Sequence, residues 1–553
     1  MRLTRIAVVT LALASLSAPA RAGALEDGRA ALKDRRWAQA ADAFATALKA
    51  SPGSREAVVG LATAATEGKV TAQYELATSS LSAWLREKAD DREARLAYGY
   101  LFLARAAVDE RYRADAQEQF QRLLKADADD ADATVGLGRY YYFGGDYVRG
   151  LETLDGLLAK KPTFAPAHYW RGRLLYDEAE QAVRGGMTPE VQAKFVKAAD
   201  AFEAAAKADP AMHDAWMRLA YASQYLSGAD ASRAATAEHA YLKALDIDPA
   251  DDAPLRGLSS LFANASGRYV ELLGKLAKDK PKSAAVLFHW GWTLKGQGKV
   301  DEALAAWKAH VAVARNPSRG WFEIAQALRE QKNDLEGARK AYRAALEADP
   351  RFRGSELAVY WLLQPIEERS RDAVTSLAAA KALLAEFDEV ARLAPGSISA
   401  RNDAAFFLRE AYGATKQKHR ELLDGCIERY VAASALVGEF VPGYERSVPY
   451  PDRHGFAQVL NDTGLMFQYY PETRDLRKAE SYYRKAMDWT EYGYWDAYGN
   501  LLKILEAENR LEDAAIWAEN CAEGVKKADG SPEETFRKIC AADAERLKKS
   551  LGR

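Results

Sequence analysis

The clearest hydrophobic pattern lies in residues 320–350 and predicts two helices. On the first helix, apolar residues recur at i, i+3, i+4 and i+7, namely Trp321, Ile324, Ala325 and Leu328. Asn333-Asp334 breaks this pattern and is typical of a cap for a second helix. The buried face of that helix is expected at Ala338, Ala341, Tyr342 and Ala345, and Pro350 ends it. A hairpin this small has too little core to stand alone, so it must stack on neighbours.

Prolines that close an alanine-rich helix recur along the chain at Pro52, Pro162, Pro210, Pro249, Pro281, Pro317, Pro350 and Pro395. By subtraction, the intervals from Pro162 onward are 48, 39, 32, 36, 33 and 45 residues. The same alanine and aromatic pattern appears in residues 37–52, 197–210, 237–249, 300–311 and 476–491. The chain therefore resembles the tetratricopeptide repeat family, whose period is about 34 residues. The resemblance implies an all-α, right-handed superhelical solenoid of about a dozen helical hairpins, with a concave groove for partners.

Five segments are predicted along the chain: a leader at 1–22, a solenoid at 23–437, an insertion at 438–455, further hairpins at 456–528 and a capping helix at 529–553. The insertion holds three prolines and three glycines, which argues against a regular helix there. Its aromatic residues Phe440, Tyr444 and Tyr450 favour an ordered loop over a mobile linker.

The first 22 residues have the composition of a secretory leader. Arg2 and Arg5 precede a short apolar run, and Ala20-Arg21-Ala22 has the small-x-small form of a cleavage site. We expect cleavage after Ala22 and an exported protein, with the periplasm as the first choice. A retained membrane anchor is the alternative, although the apolar run is short for a bilayer span. The net charge of −2 gives no indication of nucleic-acid binding.

The three cysteines allow one disulfide, which an exported protein would retain. Cys521 lies six residues before Lys527 and Cys540 eight after Pro532, on two helices joined by a short turn. At about 1.5 Å per residue the two cysteines reach similar heights on neighbouring helices. The sequence thus predicts a bridge between Cys521 and Cys540 and leaves Cys426 as a buried thiol. Two unbridged thiols between the helices are the alternative.

No motif of catalysis or cofactor binding is present in the sequence. We find no glycine-rich phosphate loop, no H-E-x-x-H and no nucleophile elbow, and no two of the seven histidines have the close spacing of a helix-borne metal pair. The sequence therefore predicts neither a cofactor nor a metal nor an enzyme. An enzyme confined to residues 438–455 would lack any recognisable motif.

The predicted function is an exported scaffold that binds another protein, as an extended segment, in the groove. A protein that binds a glycan or cell-wall polymer through groove aromatics is the alternative. Because the resemblance implies that the first helix of each hairpin lines the groove, candidate residues are taken from the face of that helix opposite its packed stripe. They are Arg139, Tyr142, Met217, Tyr221, Phe288, Trp292, Phe322, Arg329, Asn402, Asn461 and Asp496. Aromatic and arginine side chains are the types that anchor interfaces, and asparagine can pair with an extended main chain.

Overall fold

The chain is described here from a computed structural model, which covers residues 18–228, 230–373, 376–439, 450–490, 494–524 and 532–552. Over these ranges the regular structure consists of α-helices and single 3-10 turns, without a β-strand. The predicted all-α class is therefore confirmed. None of the helices in the described ranges is both long and apolar enough to cross a bilayer. The chain divides into two compact units, residues 1–272 and 273–553.

The first unit contains helices that pack consecutively as hairpins, with α1 on α2, α5 on α6, α7 on α8, α9 on α10 and α11 on α12. Its helices are α1 (Ala18–Lys33), α2 (Trp37–Ala50), α3 (Arg55–Gly68), α4 (Tyr74–Glu87), α5 (Arg92–Ala106), α6 (Arg113–Ala126), α7 (Ala131–Phe143), α8 (Tyr147–Lys160), α9 (Ala165–Ala182), α10 (Pro189–Ala208), α11 (His213–Leu226), α12 (Ala231–Ile247), α13 (Ala253–Leu261) and α14 (Ser266–Asp279). The boundary between the units falls inside α14.

The second unit repeats the same arrangement, with α15 on α16, α17 on α18, α21 on α22 and α23 on α24, and it ends in an additional helix, α27, packed on α26. Its helices are α15 (Ala284–Gly296), α16 (Val300–Val313), α17 (Ser318–Gln331), α18 (Leu335–Ala348), α19 (Ser355–Ala373), α20 (Leu377–Leu393), α21 (Ile398–Ala414), α22 (Arg420–Glu439), α23 (Tyr450–Gln468), α24 (Leu476–Trp489), α25 (Trp495–Ala507), α26 (Leu511–Gly524) and α27 (Pro532–Ser550). Helical hairpins repeated in this way form a solenoid.

The hairpin predicted at 320–350 is present as α17 and α18. The side chain of Asp334 caps α18, because one of its carboxylate oxygens accepts a hydrogen bond from the Gly337 amide at 2.9 Å. Ala338, Tyr342 and the rest of the predicted stripe of α18 are buried. The 3.6-residue periodicity thus predicted the buried face of α18. On α17, Ile324 and Ala325 are buried as predicted, whereas Trp321 and Leu328 are only partly buried.

In several hairpins, a large side chain of the second helix packs directly against a glycine of the first helix. A Cβ at Gly172 of α9 would lie 2.7 Å from the ring of Phe202 on α10, and one at Gly291 of α15 would lie 2.3 Å from Nε1 of Trp307 on α16. Both aromatic side chains are fully buried. These glycines let bulky rings fill the space between the two helices of these hairpins.

Neighbouring hairpins of the first unit are joined at the starts of their first helices. The guanidinium of Arg55 donates to both carboxylate oxygens of Asp91 at 2.7 and 2.9 Å, and Arg92 makes the same bidentate contact with Asp130. Each aspartate also caps its own helix. The hydrogen bond from Arg55 lowers the pKa of Asp91 to about 2. One aspartate therefore both starts a helix and joins it to the hairpin before.

Two predicted segments, the leader at 1–22 and the insertion at 438–455, lie partly outside the described residues. Residues 1–17 of the predicted leader lie outside the described residues, and α1 begins at Ala18. Of the predicted insertion at 438–455, residues 440–449 lie outside the described residues, whereas α22 continues to Glu439 and α23 begins at Tyr450. A loop through 450–455 is therefore wrong. Pro451 does not prevent a helix there, because the first turn has no intrahelical partner for its N–H groups.

The predicted disulfide is present at the end of the second unit. Cys521 on α26 and Cys540 on α27 are bridged, with their Cα atoms 5.8 Å apart, and both side chains are buried. Cys426 is a buried free thiol whose Sγ lies 3.6 Å from Sδ of Met466. Burial raises the pKa of Cys426 to about 12, so it stays protonated at neutral pH. The bridge ties the last helix to the hairpin before it.

Candidate functional site

The first unit carries the same tetrad, R-x-x-Y, on the first helices of three consecutive hairpins. It occupies residues 139–142 of α7, 173–176 of α9 and 218–221 of α11. By subtraction, the arginines are 34 and then 45 residues apart, and the tyrosines follow the same spacing. We call these six residues the arginine–tyrosine ladder. Each rung consists of residues i and i+3 on one helix, which share a face.

At the first rung, Arg139 is held between two aromatic rings from the neighbouring first helices. Its guanidinium carbon lies 4.3 Å from the ring centre of Tyr100 on α5 and 4.7 Å from that of Trp170 on α9. The Arg139 side chain is half-buried, its Nε has no hydrogen-bond partner, and it forms no ion pair with any described residue. Another part of its guanidinium hydrogen-bonds to the hydroxyl of Tyr100. An arginine stacked between rings keeps its N–H edge available for another group.

In the second rung, Arg173 already has hydrogen-bond and ionic partners within this chain. Arg173 donates to Oη of Tyr142, and Oη of Tyr142 donates to the carboxylate of Asp177. Arg173 also pairs with Asp177 at 3.6 Å and lies over the ring of Tyr142 at 4.9 Å. Burial, together with the hydrogen bond to Asp177, raises the pKa of Tyr142, which therefore remains a hydroxyl donor at neutral pH. This rung holds the two flanking rungs in position.

The third rung borders a cavity of about 670 Å³ that lies among α9, α11, α12 and α13. We call it the tyrosine cavity; the residues that line it include Tyr176, Glu180, Arg218, Tyr221, Tyr225 and Tyr241. Arg218 lies 5.8 Å from the ring centre of Tyr176 and, like Arg139, forms no ion pair with any described residue. Burial raises the pKa of both Tyr176 and Tyr221, so both hydroxyls stay protonated.

The floor of the tyrosine cavity is fixed by its own hydrogen bonds. Oη of Tyr241 donates to Oε1 of Gln224 at 2.6 Å, and Nε2 of Gln224 donates to Oγ of Ser260 at 3.0 Å. Gly257 lies against Tyr241 so closely that a Cβ there would be 2.2 Å from the ring. The cavity floor is therefore formed before any ligand arrives, which lowers the entropic cost of binding.

Three of the predicted groove residues are buried, and their assignment to an open groove is wrong. Met217, Phe288 and Asn461 are respectively 6%, 6% and 4% exposed. Phe288 lies under Arg319 and beside His310, while Oδ1 of Asn461 accepts a hydrogen bond from Asn500 at 3.0 Å. Their positions on the helical wheel belong to the packed stripe, because that stripe is wider than four residues in every two turns.

The other predicted residues of the second unit are at least partly accessible. Trp292 on α15 is 48% exposed. Phe322 packs on Tyr342, and Arg329 lies 3.7 Å from the ring centre of Trp361. Asn402 and Asp496 are also accessible in part, on α21 and α25 respectively. The structure thus brings Arg139 and Tyr142 to the ring of Trp170 and places Tyr221 in the lining of the cavity. In the second unit, Phe322 and Arg329 both contact Tyr342.

Buried carboxyl groups distinguish the first helices of the second unit. Burial raises the pKa of Glu323 on α17 to about 7. Burial and the neighbouring charge of Glu367 raise the pKa of Asp403 on α21, also to about 7. The amide of Asn402 donates to Asp403 at 3.2 Å. In the described part of the chain, no cluster of three histidine, cysteine or acidic side chains could hold a metal ion.

Sequence comparison identifies the repeats. Residues 25–77, 101–165 and 288–351 match the family model described as tetratricopeptide repeat. These three segments of the chain are tetratricopeptide repeats. The resemblance inferred from the proline and alanine pattern is thereby confirmed. The second matched segment includes the first rung of the ladder, on α7. No curated protein matches the chain in sequence.

Among solved structures, the chain is similar to other proteins with low identity and low TM-scores. Yeast Tom70 matches at 15% identity and a TM-score of 0.22, covering 96% of both chains. Cut9–Hcn1 of the APC/C matches at 14% and 0.26, covering 95% of this chain and 96% of that one. YrrB, a tetratricopeptide repeat protein with an unusual peptide-binding site, matches at 16% and 0.22 and covers 44% and 97%. Similarity this weak does not define a ligand for this chain.

Sequence reasoning found Arg139, Tyr142 and Tyr221 but missed the residues that complete the ladder. The missed ladder residues are Arg173, Tyr176 and Arg218. Also missed are Trp170, which contacts the first rung, and Glu180 and Tyr225, which line the tyrosine cavity. A signal for the three ladder residues was present, since R-x-x-Y recurs at the repeat spacing. Comparing equivalent positions between repeats would have detected it, whereas helical spacing within one repeat could not.

Proposed function

We propose that this chain is a non-catalytic scaffold that binds an extended segment of another protein along the arginine–tyrosine ladder. The observation that carries the proposal is that Arg139 and Arg218 are partly buried cations without an ion pair among the described residues. Arg139 lies between the rings of Tyr100 and Trp170, and Arg218 lies 5.8 Å from the ring centre of Tyr176. Arginine and large aromatic side chains are enriched where protein partners bind. A partner that supplies hydrogen-bond acceptors to these two arginines would form the ion pairs that they do not form within the described chain.

The spacing of the rungs suits an extended chain. The rungs stand on the first helices α7, α9 and α11, and packed helices lie about 8–10 Å apart. An extended segment advances about 3.3 Å per residue, so it would meet one rung roughly every three residues. The middle rung, Arg173 with Asp177, is internally neutralised and therefore favours a neutral side chain between two acceptor-bearing ones.

Photo-crosslinking tests this proposal. A photoreactive amino acid would replace Phe143, which is 48% exposed and stands edge-on to Tyr142. The matched control position is Val148 on α8, which is 68% exposed and makes no aromatic contact with the ladder. We expect protein adducts from position 143 in an extract of the source cells, few from position 148, and loss of the adducts in the variant Arg139→Gln.

Equal crosslinking from both positions, or adducts that survive Arg139→Gln, would contradict a ladder-bound protein segment. The glycan alternative would give adducts that resist proteolysis, together with sedimentation of the protein with purified cell wall. Circular dichroism of Arg139→Gln controls for folding; because Arg139 forms no ion pair with a described residue, we expect unchanged helicity.

The exported location is part of the same proposal. It is supported by the tripartite composition of residues 1–22 and by the disulfide between Cys521 and Cys540, since disulfides persist in oxidising compartments. Intact-mass measurement of the protein from its source should give a chain that starts at Gly23. Retention of Met1 on protein found outside the cytoplasm would refute cleavage at this place.

A further inference from the structure

The tyrosine cavity contains one cation and one anion that pair neither with each other nor with another described residue. Arg218 on α11 and Glu180 on α9 both line the cavity, and neither forms an ion pair. Among the described residues, Glu180 accepts one long hydrogen bond, 3.4 Å, from Oη of Tyr225. Opposite charges that line one cavity without meeting are complementary to a molecule that carries both charges.

The aromatic residues around Glu180 form a site suited to the cationic end of such a molecule. The ring of Tyr225 is stacked on Phe195, with ring centres 4.6 Å apart and planes 13° apart, and the side chain is 41% exposed. One face of Tyr225 is thus supported from behind while the other is accessible. Tyr176 stands at 66° to Tyr225, with ring centres 6.1 Å apart. Perpendicular ring walls beside a carboxylate are the setting in which proteins bind ammonium groups.

The lining of the cavity also offers hydrogen-bond donors. The guanidinium of Arg218 forms no ion pair with a described carboxylate, and Tyr221 lies three residues after it on the same helix. Arg218 does act on Asp214 of that helix, whose pKa is lowered by the hydrogen bond with His213 and, to a smaller extent, by the charge of Arg218. Arginine binds carboxylate and phosphate oxygens through its planar N–H edge. A volume of about 670 Å³ is at the size of ordinary small-ligand sites.

We propose that the tyrosine cavity binds a small zwitterion, with its ammonium group against Tyr225 and Glu180 and its acidic group on Arg218. This is a second binding activity, and it shares Arg218 with the third rung of the ladder. The ligand chemistry has two possible sources: a free solute such as glycine betaine, and the phosphocholine headgroup of a lipid. No bond is made or broken in either case.

Isothermal titration with three probes tests the need for both charges. Glycine betaine carries a trimethylammonium and a carboxylate, choline carries the cation without the acid, and acetate carries the acid alone. We expect glycine betaine to bind at least about ten-fold more tightly than choline or acetate, because it alone engages both sides of the cavity. Free phosphocholine and phosphatidylcholine vesicles, compared by titration and by co-sedimentation, distinguish the solute from the membrane as the source.

Variants of the cavity assign the two ends. Arg218→Gln should reduce betaine affinity to the level of choline, and Glu180→Gln should reduce it to the level of acetate. Tyr225→Ala should weaken betaine and choline but leave acetate unchanged. The matched control is Arg122→Gln, which removes an exposed arginine on α6 that pairs with Glu118, outside the cavity, and should change nothing. Circular dichroism checks that each variant folds.

Three outcomes would overturn the proposal: no measurable binding of betaine or phosphocholine, equal binding of all three charge probes, or binding of a neutral disaccharide as tight as that of betaine. Betaine affinity that is unchanged in both Arg218→Gln and Glu180→Gln would overturn it as well. Because these probes contain no peptide, their failure would leave the crosslinking test of the ladder unaffected.

Discussion

Replacing Glu323 by glutamine should stabilise the second unit at alkaline pH and not at acidic pH. Glu323 on α17 is 9% exposed, and burial raises its pKa from 4.5 to about 7, a change that Lys295 and Arg319 only partly oppose. The folded state therefore binds this proton more tightly than the unfolded state. Stability is then highest at low pH and falls as the pH rises from about 4.5 to about 7. Glutamine has the same shape and no charge to bury.

The size of the effect follows from the same pKa difference. One pKa unit corresponds to about 1.4 kcal/mol, so the ionised Glu323 costs the folded state on the order of 3 kcal/mol at pH 8. Denaturant unfolding followed by circular dichroism at pH 4.5 and pH 8 measures it. We expect Glu323→Gln to be more stable than the unchanged chain by about 2–3 kcal/mol at pH 8 and nearly equal at pH 4.5. The exposed Glu347, changed to glutamine, is the control. A stability difference that is the same at both pH values would refute the reasoning.

Three further predictions concern the core and the cysteines. Thiol titration of the denatured, unreduced protein should detect a single thiol, Cys426, and three reactive thiols would rule out the bridge. Asn461→Ala should lower the unfolding free energy by about 1–3 kcal/mol, because the amide of Asn500 loses its buried acceptor, and unchanged stability in denaturant unfolding would contradict this. Gly291→Ala should cost about 1–3 kcal/mol, since the added methyl group overlaps Trp307; a melting temperature at or above that of the parent would contradict it.

The fold was predictable because the local sequence of each hairpin determines its two helices. An apolar stripe of period 3.6, a capping residue such as Asp334 and a closing proline define two helices without reference to distant parts of the chain. Contacts in a repeat protein are then made mainly with the next hairpin, so the repeat predicts the stack. The loop predicted at 438–455 does not extend through 450–455, because α23 has already begun at Tyr450. Proline disrupts the interior of a helix, whereas the first turn tolerates it.

The accessible residues were less predictable than the fold. The sequence of one helix does not show how many of its residues the neighbouring helices cover. Phe288 and Met217 were placed in the groove because they lie off the narrow stripe, yet neighbouring helices cover them. Arg139 remains a predicted groove residue, and the role proposed for it depends on Tyr100 and Trp170, which come from two other hairpins. Such contacts between repeats are invisible to periodicity within a repeat.

The ladder shows how a repeat fold turns one residue position into a surface. The position of Arg139 is occupied 34 residues earlier by Arg105, but there the arginine is buried and bonded to Glu75, Thr78 and Tyr112. The equivalent position is occupied by Arg139 and, further along, by Arg218, and neither arginine forms an ion pair with a described residue. Between Arg173 and Arg218, the lengthened α9 and α10 add 11 residues to the 34-residue spacing. The insertion falls between first helices, so it changes the distance along the sequence without breaking the series in space. Whether a given arginine serves structure or binding is therefore decided by which neighbouring repeat supplies a carboxylate, and a partner is expected where none does.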